Sequence, residues 1–236
     1  MDKKLRVLFC IALDLHYLCS QIGKKMKMRN LIIALLACLP LAATAQGNWE
    51  KPQERQGLFD KKKGEYPYKK YLGNVVPVVN GEVVWEKSYT NSKSAEENYA
   101  TMLNMLTTMT QEEIQIKEKS KVSLVNKEEH KIICHFEEWM TFTNNFINLD
   151  RTRFIYTLTA DCEAGRVTVR IMRIKYWYEE NRDGGERYSA EEWITDEWAL
   201  NKKKTRLSRI SGKFRRKTVD RVEEILGNIG NTLGAQ

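Results

Sequence analysis

The chain has 236 residues, of which 42% are hydrophobic and 30% charged, and its formal net charge is +8. It has three histidines and five cysteines, and it shows no internal repeat or low-complexity tract. No nucleophile motif, Gly-rich phosphate loop or Cys/His zinc spacing is found, which excludes the enzyme and metal-binding classes that those motifs define. We therefore predict no cofactor and no metal site.

The region from Met28 to Gln46 has the parts of a secretory signal peptide. A cluster of basic residues precedes an apolar run over residues 31–41, and Ala43-Thr44-Ala45 forms a cleavage pattern. The basic residues are Lys24, Lys25, Lys27 and Arg29. We predict cleavage after Ala45. The apolar run is shorter than the roughly 20 residues of a membrane-spanning helix, so no transmembrane span is expected in the mature chain.

Two alternatives concern the same end of the chain. Leu35-Leu36-Ala37-Cys38 resembles a lipobox, so a lipoprotein anchored through Cys38 is the second interpretation. Residues 1–25 precede a signal that is complete without them, which favours a true start at Met26 or Met28. Residues 1–45 are thus assigned to an upstream extension and the signal peptide, and they do not enter the fold prediction.

Removing residues 1–45 changes the charge of the protein. That segment holds seven of the 39 basic and two of the 31 acidic residues, so the remainder carries 32 and 29, a net charge of +3. Residues 202–221 alone hold ten basic residues and one acidic residue. Such asymmetry can mark an interaction surface. In an exported protein the expected anionic partners are lipid headgroups and acidic polysaccharides, and nucleic acid is not expected.

The mature chain begins with a polar stretch and then becomes periodic. Residues 46–74 show no sustained periodicity and are predicted to be a flexible leader. Asn80-Gly81 is a strong turn signal, and the alternation after it predicts a strand over 82–90. Ser94 followed by Glu97 forms a capping box. The helix that it begins has an apolar stripe, which consists of Ala95, Tyr99, Met102, Leu103, Leu106 and Met109.

The period then changes to two, which predicts four antiparallel strands in a meander. They are read in "IQIKEKSKVSLV", "HKIICHFEEWMTFT", "RTRFIYTLTA" and "RVTVRIMRIKYWYEE". A second capping box, Ser189 to Glu192, predicts a short helix. A closing helix presents Val219, Val222, Leu226 and Ile229 and is expected to stop at Gly230.

The predicted fold class is α+β, with the order β-α-β-β-β-β-α and two helices packed on one face of an antiparallel sheet. Residues 75–236 form a single domain. A basic loop over residues 201–211 precedes its C-terminal helix.

Several stretches resemble, in order, an exported bacterial family of unknown function with a TBP-like fold, catalogued as domain of unknown function four-four-six-eight. They are "GEVVWEKSYTNSKSAEENYATMLNML", "RFIYTLTADCEAGRVTVRIMRIKYW", "SAEEWI" and "GKFRRKTVDRVEEIL". The likeness covers roughly residues 75–230 and lies in pattern and order, without an invariant catalytic signature. It implies a TBP-like fold of the element order given above. No functional residues are implied, because the family carries no established activity.

Candidate chemistry is sparse. His130 and His135 are five residues apart on one predicted strand, so their side chains point to opposite faces and cannot share a metal ion. His135, Glu137 and Trp139 share a face, and a His-Glu pair could do acid–base work. We favour a solvent-facing polar strip over this pair of catalytic residues.

Cys134 and Cys162 are the two cysteines of the predicted domain, and an exported pair can form a disulfide. Pairing the strands around residues 136 and 156 would place Cys134 opposite residue 161, one step from Cys162. Two unpaired buried thiols are favoured, and the disulfide is the alternative.

Two surface clusters are candidate binding sites. The first is an aromatic–acidic rim, for which the alternative is ordinary packing of the rings against the sheet; its candidate ligand-binding residues are Trp177, Tyr188, Trp193 and Trp198. The second is an anionic-surface contact in segment 202–217, for which the alternative is a solvated, mobile segment; its candidates are Lys202, Lys203, Lys204, Arg206, Arg215 and Arg216.

The leading hypothesis is an uncharacterised, non-enzymatic binding or structural module, secreted to the periplasm or cell surface, with an unknown envelope component as its partner. The first alternative is a peripheral protein that docks to anionic envelope polymers or lipids through segment 202–217. The second is an envelope-polymer hydrolase that uses His135 and Glu137.

Overall fold

The structure is a computed structural model that describes residues 66–144 and 149–235. Within these residues the strands are β1 (Val78–Val79), β2 (Glu82–Val83), β3 (Trp85–Thr90), β4 (Lys121–Asn126), β5 (Lys131–Asn144), β6 (Leu149–Glu163), β7 (Arg166–Tyr178) and β8 (Glu186–Ser189). The helices are α1 (Ala95–Met109), α2 (Asp196–Ala199) and α3 (Ser211–Leu233), and a 3-10 turn covers Lys69–Tyr71. The predicted signal peptide, Cys38 and residues 46–65 of the predicted leader lie outside the described residues.

The folded domain begins earlier than the sequence predicts. Residues 66–74 were expected to belong to a flexible leader, yet Tyr71 is buried and its hydroxyl donates to the carboxylate of Asp220 at 2.9 Å. The carbonyl oxygen of Tyr71 accepts a hydrogen bond from Nε of Arg215 at 2.7 Å. A segment without periodicity is therefore held by tertiary contacts, which periodicity cannot reveal.

The predicted turn at Asn80-Gly81 is confirmed. Asn80 and Gly81 have φ values of +53° and +86°, and Val79 pairs directly with Glu82 across them. A two-residue hairpin turn of type I′ needs positive φ at both central positions, which asparagine and glycine supply at low cost. The turn leads the chain into β3.

The capping box that begins α1 is also confirmed. The Glu97 amide donates to Oγ of Ser94 at 3.2 Å, and the Ser94 amide donates to the Glu97 carboxylate at 2.8 Å. These two bonds satisfy amide groups that have no partner within the helix. The apolar stripe faces the core, and Met102 and Leu106 are completely buried. The methionines of the stripe therefore serve packing.

The main sheet is antiparallel, with strand order β3-β7-β6-β5-β4, and β8 also pairs with β7. β4 to β7 form the predicted meander. β3, which precedes α1 in the chain, pairs with β7, the last strand of the meander. The same edge of β7 pairs with β3 through Arg166–Ile171 and with β8 through Lys175–Tyr178. The predicted α+β architecture is confirmed, with a small hairpin (β1 and β2) and β8 added.

The first strand of the meander is shorter than predicted. The sequence predicts one strand over residues 114–125, but only Gln115 makes an isolated bridge, to Glu138, before the chain turns and β4 begins at Lys121. Glu118, with φ of +67°, lies in that turn. Likewise, His130 lies in the turn before β5, with φ of +52°, instead of on the predicted strand.

A β-bulge interrupts β7 at Arg173. Thr157 pairs with Met172 and Ile155 pairs with Lys175, so Arg173 and Ile174 together oppose the single residue Tyr156. Arg173 has φ of +55°. One extra residue shifts the alternation of side chains by one position. The buried residues of β7 are consequently odd-numbered up to Ile171 and even-numbered from Ile174.

One face of the sheet is covered by α1 and α3 and the other face is open. Alternate residues of β6 from Thr152 to Cys162 are buried, and the residues between them are only partly buried. The rings of Phe154 and Tyr156 lie on the covered face with a centroid distance of 4.9 Å. Burying a large apolar side chain contributes about 1.5–3 kcal/mol, so this covered face supplies the core of the domain.

A buried ionic network lies between the covered face and α3. Glu138 is completely buried, and its carboxylate accepts hydrogen bonds from Nε and Nη2 of Arg221, both at 3.0 Å. The Tyr156 hydroxyl and the Gln115 amide also donate to it, at 2.5 and 2.8 Å. Burial alone lowers the pKa of Arg221, but the charge of Glu138 outweighs that effect and raises it. Arg221 therefore keeps its charge in the buried network.

The closing helix is longer than predicted. The sequence predicts that it stops at Gly230, but α3 continues to Leu233 and is capped by Gly234, with φ of +64°. A left-handed glycine after the last turn is a common helix end. Gly230 instead lies inside the helix against the ring of Tyr89, whose hydroxyl donates to the carbonyl of Leu226 at 2.6 Å.

In the part of the chain that the structure describes, no helix is long and apolar enough to cross a membrane. Over the same residues, no group of three or more His, Cys, Asp or Glu side chains is arranged to hold a metal ion.

Candidate binding surface

Four side chains form a row across the open face of the sheet. Trp139 of β5 pairs with Arg153 of β6, Arg153 pairs with Trp177 of β7, and Trp177 pairs with Arg187 of β8. Side chains at directly paired positions on one face are close enough to interact. We call these four residues the Trp–Arg row.

Guanidinium groups and indole rings alternate along the row. The guanidinium carbon of Arg153 lies 4.7 Å from the ring centroid of Trp177 and 5.4 Å from that of Trp139. Arg187 lies 4.3 Å from Trp177, and Arg151 lies 3.6 Å from Trp139. A guanidinium over an indole face contributes about 0.5–1 kcal/mol at an exposed site and more where water is excluded. The stacking therefore orients the side chains.

The central arginine is held by two carboxylates. Nη1 of Arg153 donates to Glu137 at 2.6 Å, and Nε donates to Glu180. Burial alone lowers the pKa of Arg153, but the hydrogen bonds to Glu180 and Glu137 raise it above its ordinary value. Arg153 is thus neutralised by its neighbours and acts as the fixed centre of the row.

The outer arginines are different. Among the described residues, Arg151 and Arg187 contact indole rings but form no ion pair with a carboxylate. Arg187 is exposed and Arg151 is partly buried. A guanidinium has five N–H donors in a planar fork, so both groups retain donors for a ligand.

A pocket of about 350 Å³ adjoins the row. Among the side chains around it are Trp139, Arg151, Trp177, Glu180 and Arg182. The pocket also includes Asp150, whose carboxylate accepts from Nζ of Lys213 at 2.7 Å and from the Tyr178 hydroxyl at 2.9 Å.

The acidic groups of this pocket are neutralised by cations of the protein. Asp150 is paired with Lys213, Glu179 is paired with Arg182 at 3.2 Å, and Glu180 is paired with Arg153. Arg153 is shared between Glu180 and Glu137, so Arg151 brings the local sum of charges to zero, and Arg151 keeps its donors free of any carboxylate among the described residues. The pocket therefore suits an anionic ligand with a flat or ring-shaped apolar part.

The structure separates the four predicted rim residues. Trp177 lies in the row on the open face. Tyr188 and Trp193 stack on each other, with centroids 3.7 Å apart and planes 8° apart, and they pack against Phe214 behind the sheet. Trp198 lies in α2 and is exposed. The four residues therefore do not form one rim, because paired strand positions place Trp177 and Tyr188 on opposite faces.

The structure exposes four of the six basic residues of the predicted anionic-surface contact. Lys202, Lys203, Lys204 and Arg206 are exposed. Arg215, however, is completely buried, and its guanidinium donates to the carbonyls of Tyr71, Gly73 and Ile194 and to Asp196. Arg216 is partly buried, with its guanidinium 4.2 Å from the ring centroid of Tyr68.

Arg215 must be removed from the candidate anionic surface. It faces inward, where its guanidinium satisfies the carbonyls of Tyr71 and Ile194 and adds a second donor to the carbonyl of Gly73, which also accepts from the Val75 amide. Burial lowers its pKa, an effect that Asp196 partly offsets.

The His135–Glu137 pair lies on the open face, as the sequence predicts, but the described residues show no hydrogen bond between the two side chains. Glu137 is buried, and its carboxylate is engaged by Arg153. A general base must be able to reach the proton that it removes, and this carboxylate is occupied. The geometry favours a structural role for Glu137.

Cys134 and Cys162 are free and buried. Cys134 pairs with Leu158, so the observed register differs by three residues from the predicted one. Cys162 lies four positions further along β6, about 13 Å away at the rise of a strand. The disulfide alternative is therefore wrong. Burial raises the pKa of each thiol to about 12.

The sequence did not reveal the row as a unit. Arg151 and Arg153 are two residues apart on β6, so they lie on the same face of the sheet. The sequence also predicts that Trp139 shares a face with His135 and Glu137. The alternation of side chains along a strand predicts these positions, but the position of Trp177 depends on the bulge at Arg173. Arg187 lies on β8, a strand that the sequence does not predict.

The antiparallel sheet with two helices on one face places the chain in the class of α+β proteins with a TBP-like fold. Residues 87–177 match the family described as a domain of unknown function (DUF4468) with TBP-like fold. A solved DUF4468 protein from Bacteroides ovatus is 33% identical, with a TM-score of 0.66, over 73% of this chain and 98% of that one. The chain belongs to the DUF4468 family.

A TBP-like protein from Parabacteroides distasonis is 20% identical, with a TM-score of 0.55, over 69% of this chain and 99% of that one. At that identity the likeness shows the fold alone. No curated protein matches this chain.

Proposed function

We propose that this protein is a non-enzymatic binding module of the bacterial periplasm or cell surface, and that it recognises a carboxylate-bearing polymer, such as an acidic polysaccharide, on the open face of its sheet. The observation that carries the proposal is the Trp–Arg row. Its two indole rings contact Arg187 of the row and Arg151 beside it, and neither arginine has a carboxylate partner among the described residues.

The chemistry of the row suits such a polymer. A guanidinium binds a carboxylate through two parallel hydrogen bonds, and these charge-assisted bonds are stronger than neutral ones. An indole ring supplies flat apolar area, and binding sites combine such area with a few directed polar groups. Trp139 and Trp177 stand on either side of Arg153, so successive units of an extended chain can meet successive groups of the row.

The ion pairs of Arg153 also favour a binding function over an enzymatic one. Glu137 and Glu180 are engaged by Arg153, and Glu180 lines the pocket that adjoins the row. A surface whose acids are already paired offers directed donors and ring faces, which are the properties of a recognition site.

Titration calorimetry with polygalacturonate, and with its methyl ester as the uncharged counterpart, tests the proposal. We expect the acid to bind and the ester to bind far more weakly. A hydrogen bond to a charged group contributes about 1.5–3 kcal/mol, so Arg187→Gln and Arg151→Gln should each weaken binding by roughly ten- to 100-fold.

Arg166→Gln is the matched control. Arg166 is exposed on the same face at the other end of the sheet, where it pairs with Thr90 and Glu163. It removes the same charge without touching the row, and binding should change by less than about twofold. Equal binding of acid and ester, or an equal loss in Arg166→Gln and Arg187→Gln, would show that the row does not select carboxylates.

The envelope location is a proposal that rests on the predicted signal peptide. Mass spectrometry of the protein recovered from its host should give a chain that begins at Gln46. A lipid-modified chain that begins at Cys38 would instead support anchoring, and an unprocessed chain in the cytoplasm would contradict export.

A further inference from the structure

A second surface lies away from the Trp–Arg row, where the chain passes from α2 to α3. Leu200 and Leu207 form an antiparallel bridge, so residues 200–207 form a short loop that we call the basic hairpin. Trp198 and Ile210 flank it, with 52% and 62% of their surfaces exposed.

The backbone segments that carry the two flanking residues lie side by side. The Ser208 amide donates to the carbonyl of Ala199 at 2.7 Å, and the Ser211 hydroxyl donates to the carbonyl of Trp198 at 2.8 Å. These bonds bring the backbone at Trp198 beside the backbone that follows the hairpin. An exposed tryptophan and an exposed isoleucine are therefore carried by backbone that lies next to the basic hairpin.

The charge of this surface has one sign. The exposed cations are Lys202, Lys203, Lys204, Arg206 and Arg209, and none of them forms an ion pair within the described residues. Asp196 is paired with Arg215, so Glu197 is the remaining carboxylate of this stretch. This surface therefore has five exposed cationic side chains and one exposed carboxylate.

The basic hairpin has a defined shape. The Asn201 side-chain carbonyl accepts from the amides of Thr205 and Arg206 at 2.9 and 3.2 Å, and the Leu207 amide donates to the Tyr66 hydroxyl at 3.0 Å. The Gly212 amide donates to Oγ of Ser208 at 3.2 Å. A structured loop presents its side chains without the entropic cost of ordering a disordered one.

We propose that the basic hairpin, together with Trp198 and Ile210, docks onto the surface of an anionic lipid bilayer. Each Lys or Arg near such a surface contributes about 1 kcal/mol, and the attraction falls off within a Debye length. Tryptophan side chains favour the headgroup level of a bilayer. Exposed apolar side chains add apolar surface that is buried at the boundary between headgroups and acyl chains. Charge alone would suit any polyanion, whereas the exposed Trp198 and Ile210 select a lipid surface.

Co-sedimentation with vesicles tests the proposal. The protein recovered from its host is mixed with vesicles of equimolar phosphatidylglycerol and phosphatidylcholine, or of phosphatidylcholine alone. We expect binding to the anionic vesicles that weakens steeply with salt, and little binding to the neutral ones. Lys202→Ser/Lys203→Ser/Lys204→Ser should reduce the partition coefficient on the order of 100-fold.

Two further variants separate lipid from other polyanions. Trp198→Ala/Ile210→Ser should reduce vesicle binding by about tenfold, because less apolar area enters the bilayer. Lys117→Ser/Lys119→Ser/Lys121→Ser is the matched control, since these lysines are exposed and lie at or before the edge strand β4. It should change binding by less than about twofold.

Three outcomes would overturn the proposal. The first is unchanged vesicle binding in Trp198→Ala/Ile210→Ser, which would leave a charged surface that fits an acidic polysaccharide equally well. The second is an equal loss in the two triple-lysine variants, which would show that only net charge matters. The third is equal binding to neutral and anionic vesicles. Arg187→Gln, which alters the Trp–Arg row, should leave vesicle binding unchanged, so the two proposals can fail separately.

Discussion

Glu137 and Glu138 are neighbours in the chain, and each pairs with an arginine, but they do so on opposite faces of the sheet. Glu138 faces the helices, where Arg221 holds it with both groups out of water. Glu137 faces the open side, where Arg153 holds it within the Trp–Arg row. The same pair of residue types thus locks a helix to the core on one face and fixes a surface on the other. The face of the sheet on which the glutamate lies, more than its chemistry, decides which role such a pair has.

Arg221→Met should have the largest effect on stability. It leaves Glu138 buried without its cation, and breaking a buried ion pair in this way costs about 3–5 kcal/mol. Arg153→Met breaks the corresponding pair on the open face, where we expect a loss of about 1–2 kcal/mol. Urea unfolding of both variants measures the difference. Equal losses would mean that the two faces do not differ in the way described.

Arg215→Met should have the second-largest effect on stability, after Arg221→Met. We expect a loss of about 2–4 kcal/mol, because the substitution leaves buried carbonyl groups without donors. The effect should also be local. Hydrogen exchange should accelerate first around Tyr71 and Gly73, whose carbonyls Arg215 binds. Uniform acceleration over the whole domain would instead indicate that Arg215 supports global stability only.

The buried thiols predict a loss of stability at alkaline pH. The folded-state pKa values of Cys134 and Cys162 are raised to about 12 from an ordinary value of 9.0. The folded state therefore keeps these protons longer than the unfolded state does. Their contribution is fully present below pH 9 and is lost as the pH rises toward 12, at about 1 kcal/mol per pH unit for each thiol.

Urea unfolding between pH 8 and pH 10 measures that slope. The double variant Cys134→Ala/Cys162→Ala should show a shallower decline than the wild type, whatever its stability at neutral pH. A slope that is the same in both proteins would mean that other groups, such as the buried tyrosines, account for the loss.

Two glycines of α3 give the smallest predicted effects and contrast a solvent-facing position with a packed one. A Cβ at Gly227 would meet no atom within 4 Å, so Gly227→Ala should stabilise the domain by about 0.5–1 kcal/mol. A Cβ at Gly230 would lie 3.1 Å from the ring of Tyr89. Gly230→Ala should therefore gain less or lose stability, as thermal unfolding of both variants would show.

Local patterns predicted much of the fold. The capping box at Ser94, the turn at Asn80-Gly81 and the alternation along β6 each depend on residues that are close in the chain, and the structure confirms them. The resemblance to the family gave the same order of elements. The helices were placed correctly on one face of the sheet, because a sheet with one apolar face must cover it.

The binding surface was harder to predict because it depends on register. The bulge at Arg173 moves Trp177 to the open face, and without the extra residue the odd-numbered alternation of β7 would place it in the core. No sequence signal marked that bulge, since arginine is an unusual residue at positive φ. Arg215 was misplaced for a related reason: its partners at Tyr71 and Gly73 lie far away in the chain.

The contacts between Arg215 and Tyr71, and between Tyr89 and Leu226, also bear on when the domain can form. A ribosome makes the chain from its N-terminus, so the first strand of the main sheet exists long before its partners β7 and α3 do. The apolar surface of the early segments stays exposed until α3 has been synthesised. Contacts of such long sequence separation also slow folding. The domain therefore cannot complete its folding before α3 is present, and truncation before α3 should leave a product that chaperones and proteases recognise as unfolded.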